Sequence, residues 1–186
     1  MRRVPILQTE RLTIRPFIMD DLHAYHRCTE MCLGDGSRLN DAAAIEETRR
    51  LLQWQVLNEE MLARLYQPPY GDRAIVLKAT GQTIGSVGYV PYLASFKMWD
   101  ASYDSLAFGL FWMIDPDHQR KGYATEAAQA MIDHAFAHMG LRRVIAATEL
   151  NNVASQAVMR KLGMRLEHNL EQPVESLQVV GVLERA

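Results

Sequence analysis

A chain of 186 residues, 48% hydrophobic and 23% charged, is long enough for one packed core and short for two, so one domain over residues 1–186 is expected. Its formal charge of −2, without a long basic run, argues against a broad phosphate-neutralising surface for nucleic acid and leaves room for a local anion site. Cys28 and Cys32 are the only cysteines, too few for a disulfide framework and not in a C-x-x-C spacing, so free thiols are expected. No run approaches the ~18 apolar residues of a membrane span, and Met1-Arg2-Arg3 leads into Pro5 rather than a long apolar segment, so no membrane partner and a cytoplasmic location are expected.

In chain order, Thr9 to Pro16 alternates apolar and polar residues at Leu12 and Ile14, a first strand closed by proline. Asp20-Asp21 opens a short helix to about Thr29, and after the Gly34-Asp35-Gly36-Ser37 break Asp41 to about Leu65 has the length of one or two helices. Gln67-Pro68-Pro69-Tyr70-Gly71 ends that region, and Ala74–Lys78 and Thr83–Val90 read as paired strands around Thr80-Gly81. Pro91 to Asp104 carries Tyr92, Phe96, Trp99 and Tyr103 without periodicity, an irregular excursion that either caps an acceptor pocket or is tacked to the domain by its aromatics. Leu106–Ile114 then reads as a buried strand stopped by Asp115-Pro116. Arg143–Thr148 is a branched strand, Asn152–Leu162 a helix stopped by Gly163, and Leu177–Leu183 a last strand. This order of elements predicts an α+β fold of mixed α/β layers.

The most informative stretch is Gln119-Arg120-Lys121-Gly122-Tyr123-Ala124. It lies between the Leu106–Ile114 strand and a helix whose apolar face is Ala128, Met131, Ile132, Ala135, Phe136 and Met139, closed by Gly140. Gly122 and Ala124 permit close approach of a ligand to the backbone, and the first amides of the helix lack partners, so the turn is either a basic strand-to-helix connection or an anion cradle.

Ile114-Asp115-Pro116 followed by QRKGYATEA resembles the acyl-CoA motif Q/R-x-x-G-x-G/A of the GNAT N-acetyltransferases, and TERLTIRPF resembles the opening of their RimJ/RimL branch. The resemblance covers nearly the whole chain. It implies a mixed, mainly antiparallel sheet with a splayed central strand pair and flanking helices, and acetyl-CoA as donor. It also implies an amine acceptor, a peptide N-terminus or a small molecule. Gln119, Arg120, Lys121, Gly122, Tyr123, Ala124 and Thr125 would hold the pyrophosphate, and a backbone N–H of Met113 or Ile114 would polarise the thioester carbonyl.

Asn152 and Ser155 sit in an N-x-x-S…K-x-G-M stretch that resembles a second family element. On residues alone they cap a helix; the resemblance implies that Asn152 contacts the pantetheine arm and Ser155 the thioester sulfur. Many relatives carry a tyrosine seven residues after the asparagine, where this chain has Met159, which cannot donate a proton. Ser155 is then the nearest donor. Some relatives carry glutamate where this chain has Gly109, so Glu149 is the leading carboxylate for a general base, with Glu171 and Glu175 as alternatives and an exposed strand-end acid as the plain reading of Glu149. His134 and His138, four apart without an H-E-x-x-H pattern, read as exposed histidines like His23 and His26, and no metal is expected. Glu126 reads as a helix-dipole partner. Acetyl transfer to a primary amine by direct attack, without a covalent enzyme intermediate, is the main expectation. A non-catalytic acyl-CoA sensor is the alternative, and a homodimer is possible.

Overall fold

The computed structural model describes residues 3–91, 108–171 and 173–185. Tyr92, Phe96, Trp99 and Tyr103 lie outside them. One eight-stranded sheet is formed by β1 (Leu7–Gln8), β2 (Leu12–Arg15), β3 (Gly71–Leu77), β4 (Thr83–Pro91), β5 (Phe108–Ile114), β6 (Arg143–Thr148), β7 (Arg165–His168) and β8 (Val179–Glu184). Their order is β1-β2-β3-β4-β5-β6-β8-β7. The β5–β6 pair is parallel, with Phe108 opposite Val144 and Gly109 opposite Ile145. The β1–β2, β2–β3, β6–β8 and β7–β8 pairs are antiparallel. Four helices accompany the sheet: α1 (Leu22–Cys32), α2 (Ala42–Arg64), α3 (Tyr123–His138) and α4 (Val153–Lys161). The mixed α/β architecture is thus the one the sequence predicts. Contacts divide the chain into two compact units, Met1–Gly88 with Phe111–Met131, and Tyr89–Leu110 with Ile132–Ala186.

In the first unit, the alternation of β2 buries Leu12 and Ile14 opposite Leu77 and Ile75 of β3. Phe17, Leu22, Tyr25, Cys28 and Leu52, drawn from the entry to α1 and from both helices, pack with Ala74, Val76 and Met113 into one core cluster. The Phe17 and Tyr25 rings meet edge to face at 4.9 Å. Asp41 to Leu65 resolves as a single helix whose N-cap Asp41 accepts the Ala43 N–H at 2.8 Å. A 3-10 turn over Met19–Asp21 precedes α1. Buried Asp21 there takes both Nη1 and Nη2 of Arg15, at 2.7 and 2.9 Å, and the Thr83 hydroxyl at 2.6 Å. Burial pushes its carboxyl up, but these donors outweigh it and hold the group below the ordinary range.

In the second unit β6 has the predicted bounds and is paired with β8 along its whole length, from Arg143 opposite Glu184 to Thr148 opposite Val179. The last strand begins at Val179 rather than Leu177, because Glu175–Leu177 forms a 3-10 turn in which Leu177 N–H bonds the Val174 carbonyl. Two short strands, β1 and β7, lie outside the predicted set. Gly181 in β8 sits beneath α4: a Cβ there would lie 3.0 Å from the sulfur of Met159 and of Met164.

Candidate active site

The strand β5 ends as its sequence dictates. Asp115 follows the strand with its N–H still bonded to the Ile84 carbonyl of β4 at 2.9 Å, and its carboxylate caps the 3-10 turn Pro116–His118 by accepting the Asp117 N–H at 2.9 Å. It also takes Nε of Arg27 from α1 at 2.5 Å, while Nη2 of Arg27 reaches Asp117 at 2.8 Å. Burial raises the Asp115 carboxyl, and the Arg27 bond with the Asp117 N–H more than reverses this, leaving it below the usual carboxylate range. The carbonyl of Ile114 accepts both the Gln119 side-chain amide at 2.9 Å and the Cys32 thiol at 3.3 Å. Gln119 is thus turned back onto the strand end. Cys28 and Cys32 are free thiols, and burial pushes Cys28 up to about 12.

Beyond Gln119 the chain turns through two left-handed residues, Arg120 at φ 60° and Gly122 at φ 83°. The first helical bond runs from Glu126 N–H to the Gly122 carbonyl at 3.0 Å. Among the described residues, the backbone N–H groups of Arg120 to Thr125 have no acceptor. They gather at the positive end of a four-turn helix, an arrangement of donors and dipole that suits a phosphate group. Gln119 to Gly122 are exposed, and Tyr123, Ala124 and Thr125 are half-buried. The Lys121 ammonium bonds the Asp117 carbonyl at 2.8 Å.

One residue that sequence reasoning passed over holds this loop in shape. Arg11, just before β2, donates from Nη1 to the Lys121 carbonyl at 2.9 Å and places its guanidinium 4.6 Å above the Tyr123 ring. Its Nε and its backbone N–H both reach the Glu126 carboxylate, at 2.7 and 2.9 Å, and the Thr9 hydroxyl adds a bond of 2.6 Å. Glu126 therefore does more than face a helix dipole. Burial raises its carboxyl, and Thr9 and Arg11 outweigh burial to hold it below the ordinary range. Arg11 belongs to the stretch TERLTIRPF, in which nothing local points to Glu126.

In the second unit, the turn after β6 gathers Glu149, Asn152 and Ser155. The Asn152 side-chain oxygen accepts the Ser155 N–H at 3.0 Å, so Asn152 is the N-cap of α4 and its amide nitrogen stays available. The Ser155 hydroxyl is half-buried and has no hydrogen-bond partner among the described residues. Glu149 is exposed, and its carbonyl accepts the Asn152 N–H at 3.2 Å. Gln156 staples the turn from inside by donating to the Leu150 carbonyl at 2.9 Å. Met159 is fully buried against Gly181, a packing residue on the side of α4 that faces β8. Glu171 and Glu175 are exposed.

Two histidines differ from the expectation. His134 is 8% exposed, with its ring 5.1 Å from that of exposed His138, because it lies beside Ala135 on the inward side of α3. His26 is 3% exposed, its ring nitrogens 2.8 Å from the Thr48 hydroxyl and 3.2 Å from the Leu39 carbonyl. Hydrogen-bond partners inside the fold make such burial tolerable. His23 is exposed, as expected.

Residues 11–165, which contain both the loop and the Asn152 turn, match the Acetyltransferase (GNAT) domain. The chain belongs to the GNAT acetyltransferase family. The GNAT relatives include the uncharacterised N-acetyltransferase YnaD of Bacillus subtilis, 30% identical over 165 residues, which are 87% of this chain and 83% of that protein. An acetyltransferase structure from Agrobacterium tumefaciens is 26% identical at a TM-score of 0.69, covering 100% of this chain and 97% of its own. The structure of RimL, a ribosomal-protein α-N-acetyltransferase solved in complex with coenzyme A, matches at a TM-score of 0.64 and 17% identity, covering 99% and 97% of the two chains, a likeness of fold. As a GNAT member the protein is an acetyl-CoA-dependent N-acetyltransferase. Among the described residues no helix is long and apolar enough to cross a membrane.

Proposed function

We propose that the chain is a single GNAT domain of RimJ/RimL type that transfers acetyl from acetyl-CoA to a protein N-terminal α-amine or a small-molecule amine. The observation that carries this reading is the row of unpartnered N–H groups from Arg120 to Thr125, shaped by two left-handed residues and held by Arg11. Those amides take the pyrophosphate, Gly122 and Ala124 keep the approach open, and Arg120 and Lys121 add charge at the rim. Gln119 acts through the Ile114 carbonyl, fixing the strand end where the Met113 or Ile114 N–H polarises the thioester carbonyl. The Asn152 amide nitrogen, free of the cap, serves the pantetheine arm, and the Ser155 hydroxyl bonds the sulfur as charge develops on it.

The amine attacks the thioester carbonyl directly, and coenzyme A leaves without a covalent enzyme intermediate. An α-amine, with a pKa of ~7.7–8.0, is roughly a tenth or more neutral at pH 7, whereas a lysine amine near ~10.4 is almost wholly protonated. The first can react with modest help from a carboxylate such as Glu149; the second demands a stronger base. Positioning supplies much of the rate.

Thermal unfolding with acetyl-CoA, free coenzyme A and ATP tests the donor site, with Gly122→Glu as the control that fills and repels. Acetyl-CoA at about 100 times its Kd adds roughly 2.7 kcal/mol to the parent and nothing to the variant. Equal stabilisation of both withdraws the loop assignment.

A further inference from the structure

A carboxylate outside the loop and the Asn152 turn has no role in the reaction described above. Asp72, in β3, lines an open cleft with Gln55, Asn58, Glu59, Tyr70 and Arg73. Two glycines give the cleft its shape: a Cβ on Gly71, at φ 121°, would lie 2.2 Å from the Asn58 amide nitrogen, and one on Gly88 would lie 2.7 Å from Asp72 Oδ1. The Asp72 backbone is secured by its N–H to Gln55 Oε1 at 2.9 Å. Its carboxylate is not secured. The Ser86 hydroxyl reaches it at a long 3.4 Å, and among the described residues no cationic side chain pairs with it.

The nearby arginines are engaged elsewhere, Arg73 with Glu59 at 3.1 Å and the Pro5 carbonyl at 2.9 Å, and Arg15 with Asp21. Burial pushes the Asp72 carboxyl up to about 6, and the Ser86 bond only partly opposes it. Tyr25 of α1, at about 12, is raised by burial and then by the Asp72 charge, and burial raises Tyr70 as well. Glu59 from α2, the other acid of the cleft, is paired with Arg73. Asn58 adds an amide oxygen, while that of Gln55 already accepts the Asp72 N–H and the Asn58 amide at 2.9 and 3.3 Å. Asp72 is therefore the acid of the cleft that, among the described residues, has no cationic side chain beside it. A desolvated carboxylate without a cationic partner costs stability, and a compact cation bearing N–H donors reduces that cost.

We propose that this cleft is an ammonium subsite for the acceptor, in which the Asp72 carboxylate receives a protonated primary alkylamine. The assignment rests on the acetyltransferase reading and says which side of the reaction Asp72 serves.

Carboxyl-carbon NMR of the parent protein, without acetyl-CoA, follows the Asp72 titration in ethylammonium, tetramethylammonium or sodium chloride at equal ionic strength. Ethylammonium lowers the Asp72 midpoint by at least one pH unit, and the other two salts leave it unmoved. Asp72→Asn raises the KM for amine at least tenfold while acetyl-CoA stabilises the variant as it does the parent. One titration curve in all three salts overturns the subsite, as does an unchanged amine KM in Asp72→Asn. Should acetyl-CoA fail to stabilise the parent, the acetyltransferase reading falls, while the salt comparison still decides whether Asp72 binds ammonium.

Discussion

Arg11 and Glu126, 115 positions apart, meet through Nε at 2.7 Å and Nη2 at 2.6 Å, so the residue that shapes the Gln119–Thr125 loop comes from the opposite end of the first unit's sequence. Arg11 is 42% exposed at its side chain, which screens the pair and limits its share of stability to about 1 kcal/mol. Its larger effect is on loop shape. Arg11→Ala and Glu126→Gln raise the KM for acetyl-CoA about tenfold and leave the amine KM unchanged, as steady-state kinetics with each substrate varied will read. The Glu126 carboxyl is held below its ordinary value, so its contribution is present above that value and is lost as pH falls through the depressed one.

The two left-handed residues of the loop respond in opposite ways. Arg120 at φ 60° bears a strain that glycine does not, so Arg120→Gly is neutral or stabilising by up to ~1 kcal/mol in denaturant titration. Gly122→Ala costs about 1–2 kcal/mol at φ 83°, and its Cβ comes within 3.4 Å of the Arg11 Nη2. Equal and small effects at both positions would refute the strain argument.

At the α4 turn, capping and the proposed part in the reaction can be separated. Asn152→Ala removes the bond to the Ser155 N–H and costs about 1 kcal/mol in urea unfolding. Asn152→Asp keeps the cap but loses the amide donors, so it folds normally and binds acetyl-CoA more weakly. Ser155→Ala leaves stability within about 0.5 kcal/mol, because its hydroxyl has no partner among the described residues, and lowers kcat.

Restoring a tyrosine at position 159 does not restore an acid. Met159 is 0% exposed, and its sulfur fills the space above Gly181, so Met159→Tyr overpacks the site against β8. A loss of about 1–3 kcal/mol without a gain in kcat is the expected result, measured by thermal unfolding and turnover.

Asp72 makes stability depend on pH with the opposite sign from Glu126. Its folded value of about 6 exceeds the ordinary 3.8, so the folded state binds the extra proton between these limits, and stability is lost as pH rises through that window. Asp72→Asn flattens the dependence and is more stable than the parent at pH 7 by about 1–3 kcal/mol in denaturant unfolding. A variant that tracks the parent across pH 4 to about 7 would remove the buried-charge interpretation.

Local pattern carried the elements whose partners lie along one repeat. The α3 face from Ala128 to Ala135 and the branched run Arg143–Thr148 could be read because burial on one side leaves a period in the sequence. β7, with the residues RLEH, has no such period; its strand state comes from pairing with β8, where Leu166 faces Gly181. β1 is shorter still and exists through its register with β2. The loop was legible because its glycine and flanks are local. Arg11 and the Asp72 cleft were not, since both depend on partners brought together by the sheet: Glu126 for the one, Ser86 and Gln55 for the other. The burial of His26 has the same origin in α2, where Thr48 supplies the partner.

The proposed phosphate cradle consists of main-chain N–H groups, so most of its side chains are free to drift. Arg120, Lys121 and Thr125 can be exchanged without removing a single donor, whereas every alternative at position 122 must adopt the left-handed turn beside Arg11. Mutational scanning of this loop would therefore yield a sparse tolerance map, intolerant at the glycine and at the distant arginine and glutamate, and permissive at the basic residues that first draw the eye.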